Sequence, residues 1–558
     1  MRKINQIESV FRKNIFIIIF LCVGIIILTQ MTGYDFSKLP GDMGDTRFNQ
    51  YVLEHFYQFI TNRTTSFWNA PFFYPFKNTI AFSDSHLGSA PIYSFFRFIG
   101  FNQNTSLQIW IIIGYITNLL VANTILFKLG MKPLSAALGA FLFSFGLPVM
   151  AQENHIQLTY RFCVPLVSFF FWKFSNKPKL TSALFLIICL TMQFYFSIYI
   201  GFFLVLLVLI MIFMIPVFLS SPSQIRFFGF WKNILVNAWI FSSEKERKLF
   251  LLGLIVCFFS MGFLLIPHYS ASQTYGFSRT PEEIKMMLPQ PQSYFLADHS
   301  KFWNGNRFIF PSIPMQHEHQ LFIGLSSSIL ILIGLMTKKS YKFNKFVLLN
   351  IICAFLLVIY TIRIRDFSIY QFFAFLPIFS SIRSVSRIIL VLIWPISIFT
   401  TAAYDSFLRK KQKNIFHWLI IISIPVFLIF ESLIYDNYTY SIKDSQSRLD
   451  KYIKQINETK ENINEDSILY IGFEWDEKWY MSELDGMLLA QELGISTLNG
   501  YSGNFPYEYQ PFQICEQISY RISSFMDFSN ITDKNYYDEI INKVVPINVG
   551  DCEFSWIK

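Results

Sequence analysis

The chain has 558 residues, of which 53% are hydrophobic and only 15% are charged, and its mean hydropathy is +0.39. A chain of this length and composition cannot bury its apolar surface in one water-soluble core, so we predict an integral membrane protein. The net charge of +9 does not indicate nucleic acid, because Lys and Arg stand in short clusters between apolar runs rather than along one face.

The first apolar run, at 14–31, follows four basic residues. No small-residue cleavage site comes after it, so we predict a membrane helix rather than a signal peptide. Ten further runs bring the predicted number of membrane helices to eleven. They lie near 107–127, 134–150, 162–174, 181–197, 199–219, 249–267, 321–336, 346–362, 386–404 and 414–432.

Short basic loops alternate with loops that are long and mixed in charge, at 32–106 and 268–320, or very short, at 151–161. The positive-inside rule therefore predicts a cytosolic N-terminus and, with eleven helices, a C-terminus outside. The apolar segment 367–381 is too short to span and is predicted to be re-entrant or interfacial. The membrane domain, 1–432, would carry both long loops on its outer face.

The composition becomes polar from about residue 433, which predicts a small α/β domain outside the membrane at 433–558. Helices are expected at 444–465 and 484–493 and a strand at 467–473. Cys515 and Cys552 lie in this domain. An outside compartment permits a disulfide between them, and two free thiols remain the alternative.

The first outer loop concentrates ionisable residues directly after the first membrane helix. Apolar residues after Asp45 recur at helical spacing, which predicts an amphipathic helix on the membrane surface with Asp45 at its N-terminus. Asp45 would then either cap the helix or act chemically, and the density of neighbouring charges favours chemistry. The residues concerned are Asp42, Asp45, Arg47, Asn49, Glu54 and His55.

Further polar residues are candidates for binding a phosphate or a metal. Asp84 and His86 alternate, so an extended loop could point both toward a divalent metal or a sugar phosphate. Arg161 and the pair Arg383 and Arg387 could hold a phosphate, since guanidinium groups bind oxyanions in a fork geometry. The sequence His317-Glu-His319 resembles a metal site, although a surface feature is the more common reading.

The arrangement of these motifs resembles the GT-C superfamily of polytopic glycosyltransferases, which use polyprenyl-phosphate-linked sugars. The resemblance rests on the stretch from Gly41 to His55 and on Asp84-x-His86-x-Gly88. It implies a helical membrane fold and transfer of the sugar to a lipid, glycan or protein acceptor on the outer face of the membrane. We expect a bacterial plasma membrane, with a lumenal face as the alternative. The resemblance also implies that Asp45, or else Asp42, is the general base of an inverting displacement.

The remaining candidates are assigned to substrate binding from their chemistry and position. Arg47, His55, Asp84, His86, Arg161, Arg383 and Arg387 would bind substrate. The superfamily leaves a divalent metal such as Mg²⁺ or Mn²⁺ open, with Asp42, Asp84 and His86 as its candidate ligands.

Two other functions fit the same topology. A transporter or lipid flippase would place charges inside the membrane helices, which are nearly free of them here. A polymerase or ligase of lipid-linked glycans would depend on a late outer loop instead of Asp45. Its candidate residues are Arg279, His299, Arg307, His317 and His319.

Overall fold

The computed structural model describes residues 2–220, 227–336, 344–409, 415–459, 463–474, 476–506, 508–509 and 516–549. Cys515 and Cys552 lie outside these residues, so their pairing stays a prediction. The helices are α1 (Arg2–Thr32), α2 (Asp45–Ile60), α3 (Ala90–Phe98), α4 (Gln103–Lys128), α5 (Pro133–Phe145), α6 (Leu147–Met150), α7 (Cys163–Asn176), α8 (Leu180–Phe196), α9 (Ile198–Leu219), α10 (Phe227–Ile240), α11 (Glu244–Tyr275), α12 (Pro281–Met286), α13 (Leu325–Met336), α14 (Lys345–Thr361), α15 (Pro377–Ser380), α16 (Ile389–Arg409), α17 (Ile415–Leu433), α18 (Ile442–Thr459), α19 (Tyr480–Leu493), α20 (Glu516–Phe528) and α21 (Lys534–Ile541).

Five short strands form two small sheets. Strands β1 (Lys38–Pro40) and β2 (Thr439–Ser441) pair antiparallel, with Leu39 opposite Tyr440. Strand β3 (Ile468–Ile471) lies between β4 (Ser496–Thr497) and β5 (Val544–Ile547), and both pairs are parallel. The three elements expected in the C-terminal region correspond to helix α18, strand β3 and helix α19.

Each of the eleven predicted apolar runs falls on a helix. Among the described residues, six helical segments are long and apolar enough to cross a bilayer, and four further apolar helices are shorter. These segments support an integral membrane protein, while the number eleven and the orientation stay predictions. Between α14 and α16, the segment 367–381 forms only two four-residue turns, far below the roughly 20 residues that a spanning helix needs.

The centre of the membrane part is α16, which packs against α5, α13 and α14 and is buried along most of its length. Its Ser397 Oγ donates within the helix to the carbonyl of Ile393 at 2.7 Å, and the Tyr404 hydroxyl donates to the carbonyl of Ile421 in α17. Close approach to α5 requires a glycine, because a Cβ on Gly139 would lie 1.8 Å from Thr401 Oγ1. In contrast, α11 lies at the periphery with most of its apolar side chains exposed, as expected for contact with lipid.

The C-terminal region shares one hydrophobic core with the first outer loop. Phe48 and Phe72 from the loop pack in the same cluster as Leu469, Leu484 and Met487. As a result α2 lies between α3 and α4 on one side and α19 on the other. The helix itself was predicted correctly, but its placement on a membrane surface was wrong, because α19 covers the face that would have met lipid or water.

Buried ion pairs fasten this junction. Arg47 Nη2 lies 2.5 Å from Asp485 Oδ1, and both side chains are fully buried. Asp485 Oδ2 also accepts from Arg448 Nη2 at 2.6 Å, and Arg448 pairs in turn with Glu477. In this arrangement Arg47 holds α2 against α19, and its guanidinium offers no accessible surface for the substrate contact expected from the sequence.

We expect Asp485→Asn to lower the free energy of unfolding by about 3 to 5 kcal/mol, because two buried guanidinium groups then lose their shared carboxylate. Thermal unfolding of the detergent-solubilised protein measures the effect. Glu244→Gln is the matched control, since the Glu244 and Lys248 pair is exposed and should contribute only about 0 to 1 kcal/mol. Equal midpoints for the two variants would contradict a stabilising role for Asp485.

Candidate active site

Asp45 is the meeting point of three distant parts of the chain. It is the first residue of α2, and its side chain is 30% exposed. Its Oδ2 lies 2.9 Å from His155 Nδ1, and its Oδ1 accepts a hydrogen bond from the Tyr501 hydroxyl at 2.6 Å. The first loop, the loop after α6 and the C-terminal region therefore all contribute to one accessible carboxylate.

The surroundings of Asp45 keep it ionised. Burial raises the pKa of this carboxyl, but the bonds from His155 and Tyr501 and the charge of Arg387 outweigh it and lower the pKa below its usual value. The position at a helix N-terminus also favours negative charge. Asp45 is consequently a carboxylate at neutral pH and can accept a proton.

His155 is held on its other side by Arg387 and Glu318. Its Nε2 lies 2.9 Å from Arg387 Nη2 and 3.4 Å from Glu318 Oε1. A guanidinium has only donors, so Nε2 accepts and the ring hydrogen is on Nδ1, where it is donated to Asp45. This contact fixes both the tautomer of His155 and the direction of its bond to Asp45.

Glu318 and Arg387 form a buried, doubly hydrogen-bonded pair. Arg387 Nη2 lies 2.6 Å from Glu318 Oε1, and Arg387 Nε lies 3.1 Å from Oε2, which also accepts from Ser384 Oγ. Burial raises the pKa of Glu318, but the charge of Arg387 and the hydrogen bonds it donates hold this pKa well below the usual range. The charge of Arg387 is thus already compensated, which weakens its predicted role as a phosphate clamp.

Asp42, the alternative base, shapes the turn before α2. Its Oδ1 accepts from the backbone N–H of Gly44 at 2.9 Å, and its Oδ2 accepts from the Tyr480 hydroxyl at 2.8 Å. A Cβ on Gly44 would lie 2.9 Å from Asp42 Oδ1, so a side chain at this position would displace the carboxylate. Of the two carboxylates, only Asp45 contacts the network of His155, Glu318 and Arg387.

Asp84 and two histidines of the first loop bind other parts of the protein. Asp84 accepts from Ser197 Oγ at 3.1 Å and from the N–H of Ile198 at 3.0 Å, at the N-terminus of α9. His86 Nε2 lies 2.6 Å from Asn49 Oδ1, and His55 Nε2 contacts the carbonyls of Ser66 and Phe67. Burial raises the pKa of Asp84 to about 6 and lowers the pKa of His55 to about 4 and that of His86 to about 3.

The expected metal ligands do not come together. Among the described residues, no group of three or more His, Cys, Asp or Glu side chains could hold a metal ion. Asp42, Asp84 and His86 instead satisfy a turn, a helix terminus and an asparagine. His319, the second histidine of the His-Glu-His sequence, bonds Ser293 Oγ and the carbonyl of Met286. These donor sets do not fit a metal.

The remaining arginines differ in whether their guanidinium groups are accessible to a phosphate. Arg161 is buried against the ring of Phe143, with Nη2 3.3 Å from the Phe143 carbonyl. Arg383 precedes the helical turn of Arg387, so the two do not share one face of a regular helix. It is partly exposed and, within the described part of the chain, makes no side-chain hydrogen bond or ion pair.

Arg279 joins Arg383 on this side of the site. Its backbone N–H donates to the carbonyl of Ser380 at 3.2 Å, and its Nη2 donates to Gly503 and Asn504. Burial and the nearby charge of Arg383 both lower the pKa of Arg279. Two neighbouring guanidinium groups that share no carboxylate form a cationic pair suited to an anion.

Several central residues were not assigned this role from the sequence. His155 lies in a short polar stretch between two apolar runs, which is the signal that could have identified it. Glu318 entered the sequence analysis only as the middle residue of the His-Glu-His sequence. Tyr480 and Tyr501 carried no local signal, because their role depends on the docking of the C-terminal region against the first loop.

No family model matches the chain, and no curated protein matches its sequence. The chain is similar to the archaeal oligosaccharyltransferase AglB from Archaeoglobus fulgidus, whose structure contains an inhibitory peptide and a dolichol-phosphate. The identity is 12%, the match covers 96% of this chain and 70% of AglB, and the TM-score is 0.49.

The raised pKa of Asp84 predicts a pH-dependent contribution to stability. The pKa of Asp84 is about 6 in the fold and 3.8 in the unfolded chain. Above pH 6 the buried carboxylate is charged, and its burial then lowers the free energy of unfolding by the full amount. This destabilisation is relieved as pH falls toward 4. Lowering the pH from 7 to 5 should therefore favour wild type over Asp84→Asn by about 1 kcal/mol. Unfolding midpoints of both proteins at each pH provide the test, and a constant difference would contradict it.

Proposed function

We propose that the chain is a membrane glycosyltransferase that moves a sugar from a polyprenyl-phosphate carrier to an acceptor on the outer face of a bacterial plasma membrane. The observation that carries the proposal is the ionised, partly exposed Asp45 held by His155 and Tyr501. A carboxylate at the end of a helical bundle, above apolar helices, suits a reaction between a lipid-linked donor and an acceptor approaching from water.

Asp45 would act as the general base. It takes the proton of the acceptor hydroxyl while the acceptor oxygen forms a bond to the anomeric carbon. The bond between that carbon and the phosphate oxygen breaks, and the carrier phosphate leaves with the electron pair. A single displacement of this kind inverts the configuration at the anomeric carbon.

His155 and Tyr501 would position the base. A carboxylate offers about four lone-pair sites, so two remain for the acceptor after these bonds are made. His155 cannot turn away easily, because Arg387, itself fixed by Glu318, donates to its Nε2. A base fixed in this way avoids reorganisation during the reaction.

The leaving phosphate requires a cation at headgroup level, since an unpaired phosphate in hydrocarbon is very costly. The sequence favoured Arg383 with Arg387, but Glu318 already neutralises Arg387. We therefore assign the phosphate to Arg383 together with Arg279, which lies beside it through its bond to Ser380. The carrier tail would lie along the membrane helices, which carry few charges.

Asp45→Asn should reduce transfer by roughly 10²- to 10⁴-fold, because the amide keeps the size of the side chain and cannot accept the proton. Sugar transfer by purified protein in vesicles is the measurement. The matched control is Asp42→Asn, which changes the turn before α2 and should retain most activity. Near-normal transfer by Asp45→Asn, with an unchanged unfolding midpoint, would exclude Asp45 as the general base.

Arg383→Gln should raise the KM for the lipid-linked donor about tenfold, the loss of roughly one charge-assisted contact, and should leave the KM for the acceptor unchanged. Initial rates against a titration of donor measure this. Arg307→Gln is the control, because Arg307 stacks on Phe308 in another loop. An unchanged donor KM in Arg383→Gln would place the phosphate elsewhere.

A further inference from the structure

The segment between α14 and α16 carries an unusually exposed apolar face. Seven of its large hydrophobic side chains are exposed, and Phe375 reaches 78% exposure. No Asp, Glu, Lys or Arg occurs between residues 367 and 381. The face consists of Ile364, Phe367, Phe372, Phe373, Phe375, Leu376 and Ile378.

This exposure does not come from a loosely folded segment. On the inner side, Tyr370 is fully buried and packs against Tyr360 and Phe379 with ring centroids 5.8 and 5.5 Å apart. The backbone is closed by a bridge between Ile364 and Phe367 and by the turns at 370–373 and 377–380. The outer face is therefore held in one orientation by an ordered inner face.

The segment lies on the same side of the helical bundle as Asp45. The N–H of Arg363 donates to the carbonyl of Pro289, and the N–H of Ser386 donates to the carbonyl of Met287. Ser384, which follows the segment, bonds Glu318 of the active-site network. The preceding helix α14 is apolar and exposes Phe355 and Ile359, so the segment begins at an element with a membrane-facing side.

Basic residues stand at the start of this apolar face. Arg363 donates from Nη1 to the carbonyl of Lys285, and Lys285 Nζ lies 2.8 Å from Asp366. Arg365 adds a further positive charge. Aromatic rings next to Arg and Lys are typical of the boundary between hydrocarbon and lipid headgroups.

We propose that the face formed by Phe367, Phe372, Phe375 and Ile378 inserts into the lipid leaflet on the Asp45 side and rests among phospholipid acyl chains. An exposed apolar face of this size needs a partner, and the lipid that meets the exposed side chains of α14, such as Phe355, is continuous with it. Insertion would hold Arg383, a few residues further along, at headgroup depth. The inference concerns the membrane position of the segment and does not depend on the transfer reaction.

Photocrosslinking of the full chain tests the insertion. Benzoylphenylalanine replaces Phe375 in protein reconstituted into vesicles of phosphatidylcholine and phosphatidylglycerol, without any polyprenyl lipid, and adducts are identified by mass. The same group at Phe258, exposed on α11, is the positive control, and at Leu493, exposed on α19, the negative control. Retained unfolding midpoints show that each variant is folded.

We expect phospholipid adducts at Phe375 with a yield similar to that at Phe258 and roughly tenfold above that at Leu493. A second position, Ile378, should behave like Phe375, and it replaces Phe375 if that variant does not fold. Adducts at Phe258 without adducts at Phe375 or Ile378 would overturn the proposal. Crosslinks from Phe375 to a second copy of the chain, in place of lipid, would overturn it as well.

Discussion

The buried contact between the first outer loop and the C-terminal region is the constraint on which the site depends. Arg47 and Asp485 meet without access to water, and Arg448 and Glu477 complete a group whose charges balance. Each of these charges would be very costly alone, so the pairs specify how α2 and α19 approach each other. Because Asp45 begins α2 and Tyr501 follows α19, the same docking decides whether the Tyr501 hydroxyl reaches the Asp45 carboxylate.

The second constraint is the way charge is distributed around Asp45. Arg387 and Glu318 neutralise each other in a buried site. Arg387 also contacts His155. Asp45 keeps a negative charge because it accepts two hydrogen bonds, and it stays accessible because no arginine covers it. Arg279 and Arg383 leave an uncompensated positive charge beside this network. A base and a cationic pair next to each other match the demands of a displacement at an anomeric carbon.

The membrane environment connects the two constraints. The peripheral helix α11 and the face around Phe375 present apolar side chains outward, while charged residues cluster at the end of the bundle that holds Asp45. A lipid-linked donor would keep its tail among the helices and bring only its head group to the site. The segment before Arg383 then has two tasks, since it contacts lipid on one side and continues into the Glu318 network on the other.

Local patterns in the sequence were sufficient for the long apolar helices and for the helix that begins at Asp45. Apolar runs long enough to span, the helical spacing after Asp45 and the change in composition near residue 433 depend only on neighbouring residues, and each corresponds to an element of the structure. The sequence also singled out Asp45, because so many ionisable groups after a membrane helix are unusual.

Only the tertiary structure decided which of those groups act together. Arg47 is buried against a residue 438 positions away, and His155 reaches Asp45 from a separate loop. Glu318 comes from a third loop and neutralises Arg387 before any substrate arrives. Such contacts leave no local periodicity, since the free energy of burying a charge depends on which partner the fold brings to it.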